Sequence, residues 1–192
     1  MANTNAPFGF RQYSGNGSAP TYEQVAATIV STNTTPIFYG DPVEPDADGY
    51  IVQGDGTTAA AGIAGVFVGC KYLNTSMKRT VWSNYWPGSG NTGDVEAYIV
   101  NDPNAKFVVQ SDATGLTQAA INSGIGYTIG TGNTSTGISG AYVSTLTTAT
   151  TAPFRVVGLV TAPPGAPGTE SGAYNQVIVA FNNVTTRNLT GI

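Results

Sequence analysis

Apolar and polar residues alternate with a period of two in short runs, and Gly, Pro, Asn and Asp stand between the runs. That spacing predicts strands joined by turns, because successive side chains of a strand point to opposite faces. Eight runs read as strands: Pro36 to Tyr39, Tyr50 to Gln53, Ile63 to Tyr72, Arg79 to Trp86, Val95 to Asn101, Lys106 to Ser111, Pro153 to Val160 and Tyr174 to Asn182. In the third, Val66, Val68, Cys70 and Tyr72 share one face and Phe67, Gly69 and Lys71 the other. It is expected to be buried on one side and partly covered on the second. In the last, Val177, Val179 and Phe181 alternate with Gln176, Ile178 and Ala180, another strand sequestered from water.

Helix signals are sparse. Thr21 and Gln24 have the spacing of a capping box, but Val25 to Val30 is also good strand material, so the stretch reads as extended or at most one short helix. Leu116 to Asn122 has room for two helical turns before Gly124. Asp41 to Gly56 carries Asp41, Glu44, Asp46, Asp48 and Asp55 among Pro and Gly, and reads as an acidic surface loop around one short strand. Ala162 to Gly172, with three prolines, reads as a stiff irregular loop. The expected fold class is all-β, a compact β-barrel or sandwich of about eight short strands with little helix. Residues 1–20 are expected to form an extended N-terminal arm, 21–182 the β-rich domain and 183–192 a polar, extended C-terminal tail.

Composition narrows the function. Charged residues are 9% of the 192, far below the usual share of about 25%, while the hydrophobic share is 41%. Disorder needs low hydrophobicity and high net charge, so the chain is expected to fold. Seven Lys and Arg stand against 11 Asp and Glu, a net charge of −4. Nucleic-acid binding needs clustered cations, and the only cluster along the sequence is Lys71, Lys78 and Arg79, so no nucleic-acid partner is expected. No run of 18 apolar residues occurs, so no membrane partner is expected either. Met1 to Tyr13 has neither the basic start nor the apolar run of a secretory signal, which predicts assembly in a cytoplasm. Cys70 stands alone, between apolar residues, and reads as a buried small hydrophobe.

Candidate chemistry is thin. Without histidine, Ser-His-Asp and Cys-His arrangements are impossible and most zinc sites fail. Asp94 and Glu96 share a strand face and have acid and base chemistry formally open to them, though a solvent-facing strand edge reads better. Asp46-Ala47-Asp48-Gly49 resembles the start of a calcium loop but lacks its later ligands, so no metal or other cofactor is expected. The glycines from Gly124 to Gly140 lack the Lys-Ser/Thr pair and following helix of a phosphate cradle and read as a β-hairpin region. Trp82, Tyr85 and Trp86 read as core or interface aromatics. Trp82 and Trp86 share strand parity, so a flat sugar-stacking platform is the alternative.

Several segments in order resemble a known family. They are Ala6-Pro7-Phe8-Gly9-Phe10-Arg11, Phe38-Tyr39-Gly40-Asp41-Pro42-Val43, Gly65-Val66-Phe67-Val68-Gly69 with Tyr72, and Trp82-Ser83-Asn84-Tyr85-Trp86-Pro87. Tyr98-Ile99-Val100-Asn101-Asp102-Pro103, Phe107-Val108-Val109-Gln110, Thr136-Gly137-Ile138-Ser139-Gly140 and Arg155-Val156-Val157-Gly158-Leu159 follow. Together they resemble the capsid decoration, or cement, proteins of tailed bacteriophages over nearly the whole chain. The resemblance implies a non-enzymatic protein on the outer surface of the virion head, assembled in the host cytoplasm. It implies homotrimers that clamp neighbouring subunits of the major capsid protein. Within that reading the arm is the clamp, with Phe8, Phe10, Arg11 and Tyr13 as capsid contacts. Two other readings compete: a receptor- or glycan-binding fibre module, which requires an exposed Trp82 or Trp86, and a glycosidase using Asp94 and Glu96.

Overall fold

The computed structural model describes residues 3–15, 23–56, 62–148 and 150–187. It is nearly all β, two antiparallel sheets in a sandwich-like arrangement. The first sheet has the order β1 (Arg11–Ser14), β8 (Lys106–Gln110), β12 (Gln176–Phe181), β11 (Phe154–Leu159), β9 (Gly124–Thr128), β10 (Tyr142–Thr147). The second has the order β2 (Val25–Ile29), β7 (Val95–Val100), β5 (Gly65–Asn74), β3 (Pro42–Pro45), β4 (Ile51–Gln53), with β6 (Arg79–Ser83) paired to the far half of β5. The first sheet curls toward closure, since Ser111, just past β8, bridges Val143 of β10.

Twelve strands are described where eight were expected, and one of the eight is corrected: Pro36 to Tyr39 forms only isolated bridges, Ile37 with Trp86 and Tyr39 with Ile138. Val25–Ile29 is a strand and not a helix, because its β-branched and small residues pair in full register with β7, Val25 against Ile99 through Ile29 against Val95. Thr21 lies outside the described residues. Leu116 to Asn122 holds only a 3-10 turn, Gln118–Ala120, without a side-chain cap and stopped by the positive φ of Asn122. The Gly-rich stretch supplies β9 and the connection to its antiparallel partner β10, which begins just past it. Asp41 to Gly56 is corrected: it is the β3–β4 hairpin, and surface loop remains at its tip, Asp46 to Gly49, and at Asp55 after β4.

The arm is also corrected. β1 pairs with β8, and Phe10 is 1% exposed, stacked on Phe154 with centroids 4.4 Å apart and edge-on to Phe107 and Tyr127. Residues 10–14 are thus an integral edge of the fold. The tail is corrected in the same way, since Val184 is buried and bridges Ile63 before a 3-10 turn at Thr185–Arg187; residues 188–192 lie outside the described set.

Two apolar clusters hold the molecule. One fills the first sheet around Phe10, Phe107, Phe154, Phe181 and Tyr127. The other lies on the second sheet around Phe67, Cys70, Tyr72 and Trp86. A bulge between Phe67 and Gly69 reverses the parity of β5, so Val66 and Val68 serve the first cluster while Phe67, Cys70 and Tyr72 serve the second. The single face of Val66, Val68, Cys70 and Tyr72 expected from strict alternation is therefore split.

Candidate functional site

Beyond the bulge, the outward face of the second sheet carries one cross-strand row: Thr28 on β2, Glu96 on β7, Lys71 on β5 and Trp82 on β6. Trp82 is 57% exposed. Its indole covers Gly69, where a Cβ would lie 2.6 Å from Trp82 Cζ2, and leans on the Tyr98 ring at 5.3 Å and 50°. Large rings commonly cover a strand glycine in this way, which fixes the ring while leaving one face open. Lys71 Nζ is 3.5 Å from Glu96 Oε2, and the Tyr98 hydroxyl donates to Glu96 Oε1 at 2.8 Å. The Tyr98 hydrogen bond first, then the Lys71 charge, holds the Glu96 carboxyl below its usual range. Leu73 and Met77, on the same β5–β6 hairpin, are also exposed.

Trp86 does not join this platform. It is fully buried, bridges Ile37 and packs edge-on against Tyr72 at 5.3 Å, and its Nε1–H has no partner among the described residues. Tyr85 stacks on Phe38 at 5.3 Å and 3° and is half-buried. β6 ends at Ser83, whose hydroxyl donates to the Tyr85 carbonyl at 2.6 Å, and this turn destroys the shared parity of Trp82 and Trp86. Trp82 is the interface-type ring and Trp86 the core ring.

Of the four arm residues, three reach the surface. The Arg11 guanidinium lies 5.2 Å from the centre of the half-buried Phe8 ring, and Tyr13 is exposed. Phe10 is corrected as a capsid contact, because the monomer's own core encloses it. The segment before it is fastened as a strap. Asn3 Nδ2 donates to the carbonyls of Glu170 and Ala173 at 2.8 and 2.9 Å, and the Gly168 N–H donates to Asn3 Oδ1 at 3.1 Å. Buried Gln110 accepts from the Ala6 N–H and donates to the Thr4 carbonyl, both at 2.9 Å. Nothing in the spacing around Gln110 announced that role.

The sequence reading also missed two carboxylates that tie the structure together: Glu44 of β3, which accepts from the Tyr127 hydroxyl of β9, and Asp41. Asp41 is buried and accepts from the Phe38 N–H at 2.8 Å, Gln53 Nε2 at 2.9 Å and the Ser139 hydroxyl at 2.5 Å. Burial raises its pKa against these hydrogen bonds. Asp94 and Glu96 are spoken for separately: Asp94 accepts from the Ser31 N–H at 2.8 Å and the Tyr50 hydroxyl at 3.3 Å. A general acid needs a raised pKa, and Glu96 is shifted the other way. Among the described residues no three His, Cys, Asp or Glu side chains gather within metal-ligating reach.

No family model, no curated protein and no solved structure matches the chain.

Proposed function

We propose that the protein is a non-enzymatic structural component of a bacteriophage head, bound to its outer surface and bridging subunits of the major capsid protein. The observation that carries the reading is the exposed apolar ridge of the β5–β6 hairpin, where Trp82, Leu73 and Met77 all stand in solvent on one two-stranded unit. Exposed aromatic and Met side chains gathered on one element are the composition of a protein interface. The strap adds Phe8, Arg11 and Tyr13 on the first sheet, so the chain presents contacts on both sheets, as a bridge between neighbouring subunits requires. The ordered resemblance to decoration proteins names the partner. Its test is cosedimentation with heads stripped of their decoration, where binding should saturate at a fixed ratio to the capsid subunit; failure to bind would end the proposal.

A second reading, a glycan-binding module, rests on one specific observation. Trp82 offers an open, fixed indole face next to the hydrogen-bonding groups of Lys71, Glu96 and Tyr98. Titration with a panel of sugars should then change tryptophan fluorescence, with the change lost in Trp82→Ala. Fluorescence indifferent to every sugar removes this reading.

A further inference from the structure

Lys106, Arg155 and Arg187 stand far apart along the sequence, but the fold gathers these three of the seven cations around one cleft of about 260 Å³. Lys106 on β8 and Arg155 on β11 both pair with Ala180 of β12, so they stand in one cross-strand row on the outward face of the first sheet. Phe107 and Phe154, the next residues on each strand, point into the core. Two strand spacings separate the pair, about 9 to 10 Å between Cα atoms. Ala180 lies between them with only a methyl group, which leaves the space above it open. Arg187, from the closing 3-10 turn, and Asn104, from the loop before β8, also line the cleft.

Three like charges around one hollow repel each other, and a counter-charge is the ordinary remedy. None is present: among the described residues Lys106, Arg155 and Arg187 make no ion pair, and the ion pair that is formed, Lys71 with Glu96, lies on the other sheet. A chain with 11 acids for seven bases does not lack carboxylates to place there.

We propose that this cleft binds a small tetrahedral oxyanion, phosphate or sulfate, free or as a monoester. Two guanidinium forks and an ammonium on opposite walls match the several oxygens of such a group, and the Asn104 amide supplies a neutral donor. The volume admits one such group with a small substituent. The net charge of −4 repels a long polyanion, whereas a compact ligand feels only the local cations within a Debye length of about 8 Å. The site is independent of head binding.

The test is thermal unfolding and calorimetric titration of the full chain with inorganic phosphate, sulfate, phosphoserine and a 12-nucleotide single-stranded DNA, each against sodium chloride at equal ionic strength. Phosphate at about tenfold saturation should raise the midpoint by about 3 °C over chloride. Arg155→Gln and Arg187→Gln, both at exposed positions, should each weaken binding about tenfold or more while leaving the circular dichroism spectrum unchanged. A phosphoserine affinity equal to or above that of phosphate assigns the site to monoesters, and a lower one to the free ion. Phosphate acting no differently from chloride, binding that survives both substitutions, or DNA binding more than tenfold tighter than phosphate would each overturn the proposal.

Discussion

The Tyr127 hydroxyl donates to Glu44 Oε1 at 2.7 Å, joining β9 of one sheet to β3 of the other. Burial raises the Glu44 pKa and pushes the Tyr127 hydroxyl up as well, so the phenol stays protonated and the carboxyl resists ionisation.

That link and Asp41 contribute a pH dependence to stability. Both carboxyls are raised above the ordinary 3.8 of Asp and 4.5 of Glu, so over the window above those values the folded chain holds protons that the unfolded chain has released. Their contribution is therefore full below the unfolded values and is lost as pH rises through the folded-state values. Glu44→Gln keeps an oxygen for Tyr127 and stays neutral at every pH. Urea midpoints measured from pH 4 to pH 7 should fall less steeply in this variant than in the parent. Equal slopes would show that Glu44 releases its proton over the same pH range in the folded and unfolded states.

Phe10 and its neighbours on the strap should separate by effect. Phe10→Ala removes a ring packed against Phe154, Phe107 and Tyr127 and should cost about 3 to 5 kcal/mol of folding stability. Tyr13→Ala, at an exposed site, should change stability by no more than about 0.5 kcal/mol yet weaken head binding. Chemical denaturation of both variants checks the contrast. Deleting residues 1–11 would take Phe10 with it and destabilise the fold, so truncation is not a clean test of the strap.

Gly69 should tolerate no side chain while Trp82 lies over it. In Gly69→Ala the new Cβ would meet Trp82 Cζ2 at 2.6 Å and the Ser83 carbonyl oxygen at 2.9 Å. A loss of about 1 to 3 kcal/mol is expected, with the indole displaced and its emission shifted. Part of the loss should vanish when Trp82 is already Ala, since the two positions share one contact. Additive effects would mean that the ring does not rest there.

Cys70 should be silent in the folded protein. Burial pushes its thiol pKa up to about 12, so little thiolate exists at pH 8. A thiol reagent at pH 8 should label it only after denaturant is added; prompt labelling of the native chain would contradict its place in the core.

Much of the fold was legible because strands such as β12 carry unbroken alternation, with Val177, Val179 and Phe181 sharing one core. The misses have local causes. β1 and β3 are four residues each and begin or end in Arg, Ser or Pro, too short for a periodic signal, and β3 was hidden among acidic residues that mark loops elsewhere. The β5 bulge is one inserted residue, invisible to a rule that counts in twos. Asp41 accepts from the Ser139 hydroxyl and Gln110 donates to the Thr4 carbonyl, partners far along the chain, and Lys106, Arg155 and Arg187 meet only in the folded sheet. Of the residues singled out beforehand, Trp82 and Tyr13 are exposed, whereas Phe10 and Trp86 are interior. Ring type alone does not distinguish those fates.

The central claim is recognition of an assembled head. Its most direct measurement is quantitative cosedimentation of the purified full chain with stripped, expanded heads and, in parallel, with free major capsid subunits. The account predicts saturable binding to heads at a fixed stoichiometry, reduced by Trp82→Ala or Tyr13→Ala, and none to free subunits. No binding to heads, or equal binding to free subunits, would contradict it.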